Sequence, residues 1–382
     1  MNTPEVAIIG VGLHPFGRYP GKSAMEMGED AVYEAISDAG VTWEDIQALY
    51  AGSMEVKNPE GIVGLLGQTG VPGRAVFTGC ATGATTLAMA ANAIRLGDAD
   101  VAIAIGLDKH PRGAFSDDPS VSGLPLWYGQ AGLFLTTHFF GMKINRYMRE
   151  HGITTATLGK VAAKAFRNGA ATSHAWRQKP LSEDEIVASQ VLNYPLTQYM
   201  YCGPNEGAAA AVLVRADRAH AYTDSPVYLR ASTLRSRREG AFELLSPSFP
   251  LDMVPGPTVD ASREAYEMAG IGPEDVDLAQ LQDTDAGSEV IHMAENGLCE
   301  HGEQEKLIAE GATELGGRIP VNTDGGLIAN GEPVGASGLR QVYELVNQLR
   351  GRGGDRQVQD ATVGYAQLYG APGTAAVTIL SR

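Results

Sequence analysis

The sequence predicts an α/β protein made of two copies of one unit, with mainly parallel or mixed sheets covered by helices on both faces. Two internal repeats, and the alternation of strands and helices around them, carry that expectation. In the first repeat, AVYEAISDAGVTWEDIQAL from Ala31 to Leu49 matches ASREAYEMAGIGPEDVDLA from Ala261 to Ala279 at a constant separation of 230 residues. Each copy reads as an amphipathic helix, a glycine stop at Gly40 or Gly270, a short turn with an acidic pair, and the start of a strand. In the second repeat, Thr82-Gly83-Ala84-Thr85 matches Val334-Gly335-Ala336-Ser337, 252 residues further on. Each opens a helical stretch that ends near Gly97 or Gly351 and leads to an apolar strand, VAIAIG from Val101 or VGYAQLYG from Val363. Two runs of strand, helix, strand, helix, strand give layered α/β architecture.

The repeats divide the chain. Residues 1–107 and 201–225 form one half, residues 226–382 the other, and residues 108–200 an inserted loop subdomain rich in Gly, Pro and aromatics. In that insertion Phe115, Trp127, Tyr128, Phe134, Phe139 and Phe140 suit packing and subunit contacts better than the lining of an apolar substrate channel. The opening VAIIGVG has the look of a dinucleotide fingerprint. After Gly10 and Gly12, however, the third glycine position is Pro15, and no acidic residue follows a second strand at the required distance, so nicotinamide-dinucleotide binding is excluded.

Composition excludes several further classes. A chain of 382 residues with 44% hydrophobic content can bury a large core, which argues against disorder. Its 29 basic and 45 acidic residues leave a formal charge of -16 with no basic stripe, a poor match for nucleic acid. The start MNTPEVAIIG lacks a signal-peptide pattern, and nowhere is there a run of about 18 apolar residues. A cytoplasmic location without a membrane span is expected. Cys80, Cys202 and Cys299 are odd in number and widely spaced, which predicts neither disulfides nor a protein-bound metal.

Chemistry points first to Cys80, in FTGCATGATTLAMAANAI, where small residues lead into a helix. A thiol at a helix N-terminus meets unsatisfied N–H groups and the positive dipole end, which favour the thiolate. Shifting Cys80 by the second repeat distance reaches Glu332, in the equivalent position of the other half. Under a pseudo-twofold relation the two groups face each other, so Glu332 is a candidate general base; the plainer reading is a carboxylate stabilising its own helix, with Pro333 at the first turn. Gln282-Asp283-Thr284-Asp285 end one strand and start one helix, where ligands border α/β sheets. Asp285 or Thr284 suits an N-cap, and His292 and Cys299 suit structural roles. The turn from Gly370 to Gly373 offers backbone N–H groups for an oxyanion.

Taken together, VAIIGVGLHPFGR, GCATGATTLAMAANAI, YCGPNEGAAAAVL, LCEHGE and GGLIANGEPVGASG resemble the thiolase superfamily, specifically the sterol-carrier-protein type of thiolase and its aldolase relatives, over nearly the whole chain. The resemblance implies a duplicated five-layered αβαβα fold, a homodimer, and a cysteine matching Cys80 that accepts an acyl group from a coenzyme A thioester; no tightly bound cofactor is implied. It also exposes departures. Where such thiolases carry His-Asp-Cys-Phe this chain has Gln282-Asp283-Thr284-Asp285, and where they carry Gly-His-Pro it has Gly331-Glu332-Pro333. The second, C-terminal catalytic cysteine has no counterpart. Related steroid side-chain aldolases use tyrosines in both altered slots and lack the nucleophilic cysteine.

The leading expectation is an acyltransferase that makes or breaks a C–C bond in an acyl-CoA, with Cys80 as acyl acceptor and Glu332 as base. Gln282 and the backbone near Gly331, Gly370 and Gly373 would hold the oxyanion. A second is a retro-aldol lyase acting on a β-hydroxyacyl-CoA through Glu332 or Asp283, working with an OB-fold and zinc-ribbon partner. A third is a non-catalytic acyl-CoA-binding subunit. Arg167, Arg177 and Lys179 are candidates for the coenzyme A phosphates.

Overall fold

The computed structural model describes residues 5–115, 119–133, 135–243, 254–371 and 373–382. The first half contains β1 (Val6–Gly17), α1 (Ala24–Ala39), β2 (Ala48–Gly52), α2 (Val63–Leu66), β3 (Gly73–Val76), α3 (Thr82–Leu96) and β4 (Val101–Lys109). Next come α4 (Leu126–Gln130), α5 (Thr136–His151), α6 (Thr155–Ala170), α7 (Glu183–Val187), and the strands β5 (Val191–Asn193) and β6 (Leu196–Thr197), before β7 (Glu206–Arg215) returns to the first half. The second half contains β8 (Val227–Ser236), α8 (Pro257–Ala269), β9 (Leu278–Gln280), α9 (Ala286–Glu295), α10 (Gln304–Ala309), α11 (Gly326–Asn330), α12 (Val334–Leu349), β10 (Val363–Gly370) and β11 (Thr374–Ser381).

Both repeats are visible as structure. Gly40 and Gly270 each end a helix in the left-handed conformation, and a single 3₁₀ turn follows each, at Trp43–Asp45 and Pro273–Asp275, before β2 and β9. A Ser23–Glu26 capping box starts α1, whereas α8 starts on Pro257, the residue type preorganised for a first turn. The main sheet runs β3-β2-β4-β7-β1-β8-β11-β10-β9. The two halves join where Val6–Ile8 of β1 pair antiparallel with Val227–Leu229 of β8. The sheet is mixed, with parallel pairs toward both edges, β3-β2-β4 and β9-β10, and antiparallel pairs between them.

Burial shows five layers. Alternate residues of β1 face opposite cores: Ala7 and Ile9 pack with α1, while Val6 and Ile8 pack with α3 and α12 between the halves. A third core lies beyond the second half and joins β10 and β11 to α8 and α9. Phe139, Phe140 and Phe166 from the segment between β4 and β7 are buried in that same third core, so this segment packs as part of the second half's cover. Tyr128 is buried, Trp127 is half exposed, and Phe115 stands edge-on to His110 at 5.0 Å; Phe134 lies outside the described residues. Gly10 and Gly12, the residues of the discarded dinucleotide motif, serve packing instead, since a side chain at either would strike the α1 backbone at Ala35 or Ala31.

The central layer depends on close backbone approach. A Cβ on Gly335 would lie 2.5 Å from the Gly52 carbonyl oxygen and 2.9 Å from that of Leu107, and one on Gly83 would lie 2.8 Å from the Leu339 nitrogen. These contacts seat the N-termini of α3 and α12 side by side over the sheet. Gly335→Ala is therefore expected to lower the unfolding free energy by about 1–3 kcal/mol through overpacking. Urea denaturation measures this, and an unchanged midpoint would show that the layer can relax.

Candidate active site

The turns that join these elements bring Cys80, Glu332, Gln282 and Cys202 into one cluster. Cys80 precedes α3 and is held by a threonine lattice: Thr82 Oγ1 accepts the Thr78 N–H at 2.9 Å and donates to the Gly79 carbonyl at 2.6 Å. Gly79 has φ +60°, and a Cβ on Gly370 would sit 2.6 Å from the Cys80 nitrogen. The β10–β11 turn thus rests directly on the cysteine loop, and the nearby backbone N–H groups of Cys80 and Ala371 act to lower the thiol, more weakly than burial and Glu332 raise it.

Glu332 comes from the other half and is fully buried. It does not cap α12: Val334 N–H donates to His110 Nε2 at 3.1 Å and Gly335 N–H to Asp108 Oδ2 at 2.6 Å. Its side chain is free to serve the site. Oε1 accepts from Gln282 Nε2 at 2.9 Å, and Oε2 accepts from the Cys202 thiol at 3.5 Å. The same carboxylate acts on the Cys80 thiol and holds its proton more tightly. Gly331, at φ +84°, makes the turn, and any side chain there would strike the Asn205 amide.

Three sequence expectations are corrected by this geometry. Helix-end placement was expected to favour a Cys80 thiolate, yet burial, and then the Glu332 charge and hydrogen bond, push the thiol well above its ordinary value. Gln282 was expected to hold an oxyanion, but its amide nitrogen already donates to Glu332 and, at 3.2 Å, to Thr284 Oγ1, which makes Gln282 the residue that orients the Glu332 carboxylate. The Gly373 N–H is spent inside its own turn on the Gly370 carbonyl at 2.8 Å, leaving the N–H groups of Cys80 and Ala371 as the donors beside the thiol.

The remaining candidates fall elsewhere. Asp283 accepts the Leu327 and Ile328 N–H groups at 2.6 and 3.2 Å and so anchors α11, the helix that leads to Glu332. With both oxygens so engaged, it supports the segment that carries Glu332. Asp285 caps α9 through Gly287 and Ser288, as expected of an N-cap, and burial lifts its carboxyl to about 6. His292 donates from Nδ1 to the Gln282 carbonyl at 2.8 Å, and burial lowers it to about 4. Arg177 is half-buried and straps the site segments together, its Nη1 donating to the Tyr201 and Ile328 carbonyls at 2.8 and 2.7 Å. Arg167 pairs with exposed Glu314 at 2.7 Å, and Lys179 is exposed.

Sequence reading missed the role of Cys202. The residue sits in YCGPNEG just before β7, in a segment threaded between two site turns: its N–H donates to the Thr284 carbonyl at 3.0 Å, and the Gly203 carbonyl accepts the Glu332 N–H at 3.0 Å. A cysteine beside a Gly-Pro turn at a strand start was the available signal.

A thiol, a buried carboxylate and paired backbone donors, supplied by equivalent helix starts of two fused halves, agree with the family comparison. Residues 6–192 match the model of the thiolase N-terminal domain and residues 250–382 that of the thiolase C-terminal domain-like family. The chain belongs to the thiolase superfamily. Over 99% of its length it is 34% identical to an acetyl-CoA acetyltransferase of Methanothermobacter thermautotrophicus, all of which is covered. Over 98% of its length it is 30% identical to human sterol carrier protein 2, of which 71% is covered. The solved Ltp2-ChsH2(DUF35) aldolase shares the fold with a TM-score of 0.88 and 25% identity, covering 99% of this chain and 98% of that one. The protein is thus an enzyme of the thiolase superfamily, of the sterol-carrier-protein type, and the non-catalytic reading falls away.

The direction of the thiol shift yields a test with two opposite signs. Removing the Glu332 charge favours the Cys80 thiolate, so Glu332→Gln should shift the pH profile of Cys80 alkylation by iodoacetamide to lower pH. On the expectation that Glu332 is the general base, the same variant should lose about 10²–10⁴-fold in turnover. Peptide-resolved alkylation rates check the first effect; an unshifted profile would mean that the carboxylate charge does not reach the thiol.

Proposed function

We propose that this enzyme makes or breaks a carbon–carbon bond next to the thioester carbonyl of an acyl-CoA, carrying the acyl group on Cys80. The observation behind this reading is that Glu332, buried and held by Gln282, acts on the Cys80 thiol and raises its proton affinity, while the backbone N–H groups of Cys80 and Ala371 act the other way. Because the thiol is held protonated, attack needs an adjacent base, and Glu332 is positioned for that task by Gln282 and by α11. The N–H groups of Cys80 and Ala371 are the donors available to the oxygen of an acyl group on that sulfur. The Methanothermobacter relative is named an acetyl-CoA acetyltransferase, which agrees with the substrate class.

A retro-aldol reaction on a β-hydroxyacyl-CoA is the second reading, favoured by the carboxylate in place of an imidazole and by the likeness to an aldolase named together with a DUF35 component. In that reaction Glu332 takes the hydroxyl proton, Cys80 is dispensable, and an OB-fold and zinc-ribbon partner takes part. A homodimer is part of the proposal: β3 offers an open, exposed sheet edge with Phe77 exposed beside it. So is a cytoplasmic location; among the described residues no helix is long and apolar enough to cross a membrane.

Intact-protein mass spectrometry after brief incubation with short and long acyl-CoAs decides between the two readings. The expected result is an adduct of acyl mass that is absent from Cys80→Ala. Turnover of a β-hydroxyacyl-CoA by Cys80→Ala, with no adduct on the wild type, would replace acyl transfer with the retro-aldol reaction.

A further inference from the structure

A second cluster of titratable side chains lies where β4 ends. His110, just past that strand, has 1% of its side chain exposed and sits between Asp108 and Glu55, the latter from the loop after β2 and 41% exposed. Its bonds fix its protonation state. The Val334 N–H can only donate, so Nε2, which accepts it at 3.1 Å, carries no proton, and the proton on Nδ1 goes to Glu55 Oε1 at 2.8 Å. The His110 backbone N–H donates to the Asn205 carbonyl at 3.1 Å, and Asn205 Nδ2 donates to the Asn330 carbonyl at 2.7 Å, so this one residue holds the Glu332 turn on both sides. Asp108 is fully engaged, with Gly335 N–H on Oδ2 and the Ser53 hydroxyl on Oδ1, each at 2.6 Å. The other charges nearby address backbone: Arg18 donates to the His110 carbonyl and pairs with Glu206 at 3.4 Å, while Lys109 Nζ turns to the Tyr19 and Lys22 carbonyls, 3.8 Å from Glu206. The Phe115 ring covers the imidazole edge-on at 5.0 Å.

We propose that His110 is a positioning residue for Glu332, holding the turn in its working place as the neutral imidazole and releasing it on taking up a proton. The catalytic consequence rests on the function proposed above; the switch itself does not. An imidazolium carries a proton on both nitrogens, so Nε2 can no longer accept from Val334. The acceptor within reach is Asp108 Oδ2 at 3.5 Å, the atom that already holds Gly335 N–H. Turning toward it draws the ring off Val334 and competes for the Gly335 bond, so the first two N–H groups of α12 lose their acceptors together. The positive end of α12 also repels the new cation, which separates ring and helix start further. Burial lowers the proton affinity of His110, but Asp108 and then Glu55 outweigh it, so the imidazole titrates above its ordinary 6.5. The sign follows: above that value the neutral ring holds the turn, and as pH falls through it the cation accumulates and Glu332 loses its seat.

His110→Gln keeps the bonds of the neutral state without titrating, because its amide oxygen can accept from Val334 and its amide nitrogen can donate to Glu55. The experiment titrates protein labelled with nitrogen-15 at histidine and valine by NMR, identifying the His110 signals by their loss in His110→Gln and the Val334 signal by its loss in Val334→Ile. The rate of acyl-adduct formation on Cys80 from acetyl-CoA is read by mass spectrometry across the same pH range. The expected result in the wild type is an Nε2 without a proton at high pH and a Val334 N–H shift that follows the imidazole with one midpoint above 6.5. Adduct formation should fall about tenfold per pH unit below that midpoint, the slope of one proton. In His110→Gln the Val334 signal should stay in place and the fall at that midpoint should vanish. A Val334 signal that does not move while the imidazole titrates, or a His110→Gln profile with the wild-type acid limb, would overturn the proposal. Absence of adduct at every pH would overturn the proposed function alone, since the imidazole and Val334 signals decide the switch without turnover.

Discussion

The site depends on one buried carboxylate held in place without a cation bonded to it. Glu332 is fully buried, and its described side-chain hydrogen-bond partners are the Gln282 amide and the Cys202 thiol. An ionised group taken out of water needs its lone pairs satisfied by fixed dipoles. Gln282 supplies one, and is itself held by His292 at its carbonyl and by Gln367 at its N–H. Asp283 fixes α11 just ahead of the Glu332 turn, and Asp108 with His110 takes over the start of α12. These contacts leave the Glu332 side chain no structural duty at its own helix.

That arrangement requires two halves. The central helices α3 and α12 approach closely enough that Gly83 touches the Gly338–Leu339 backbone, and this brings the Cys80 turn and the Glu332 turn to one place. The β10–β11 turn closes over the cysteine from the second half, and the segment before β7 delivers Cys202 from the first. Each half alone would present one reactive group at a helix end. Joined along β1 and β8, they bring the thiols and the carboxylate into one cluster.

Much of this was legible in the sequence, since duplication leaves a mark that one chain can show. The helix–glycine–turn–strand pattern at Gly40 and Gly270 located equivalent units, and the second repeat paired Cys80 with Glu332. Direction and burial were not legible. A helix dipole favours a thiolate by at most about 2 kcal/mol, and only in favourable geometry, whereas desolvation beside a carboxylate pushes the thiol the other way; the sequence displays the first effect and hides the second. Whether Gln282 points its amide at a substrate or at Glu332 depends on a contact 50 residues away, and the Cys202 contact spans 130. Asp283 reads as a site residue by position, yet only the fold shows that both oxygens anchor α11.

The replacement of an imidazole by a carboxylate has a plain chemical meaning here. A carboxylate accepts a proton from the nucleophile but cannot, while ionised, donate to a carbonyl oxygen, so stabilisation of negative charge falls to the backbone. A crystal structure of the protein trapped with an acyl group tests this division of labour most directly. The account predicts the acyl group on Cys80 Sγ, with its oxygen between the N–H groups of Cys80 and Ala371 and the Glu332 carboxylate still bonded to Gln282 and Cys202. An acyl group on Cys202, or an acyl oxygen bonded to the Gln282 amide with Glu332 displaced, would contradict it.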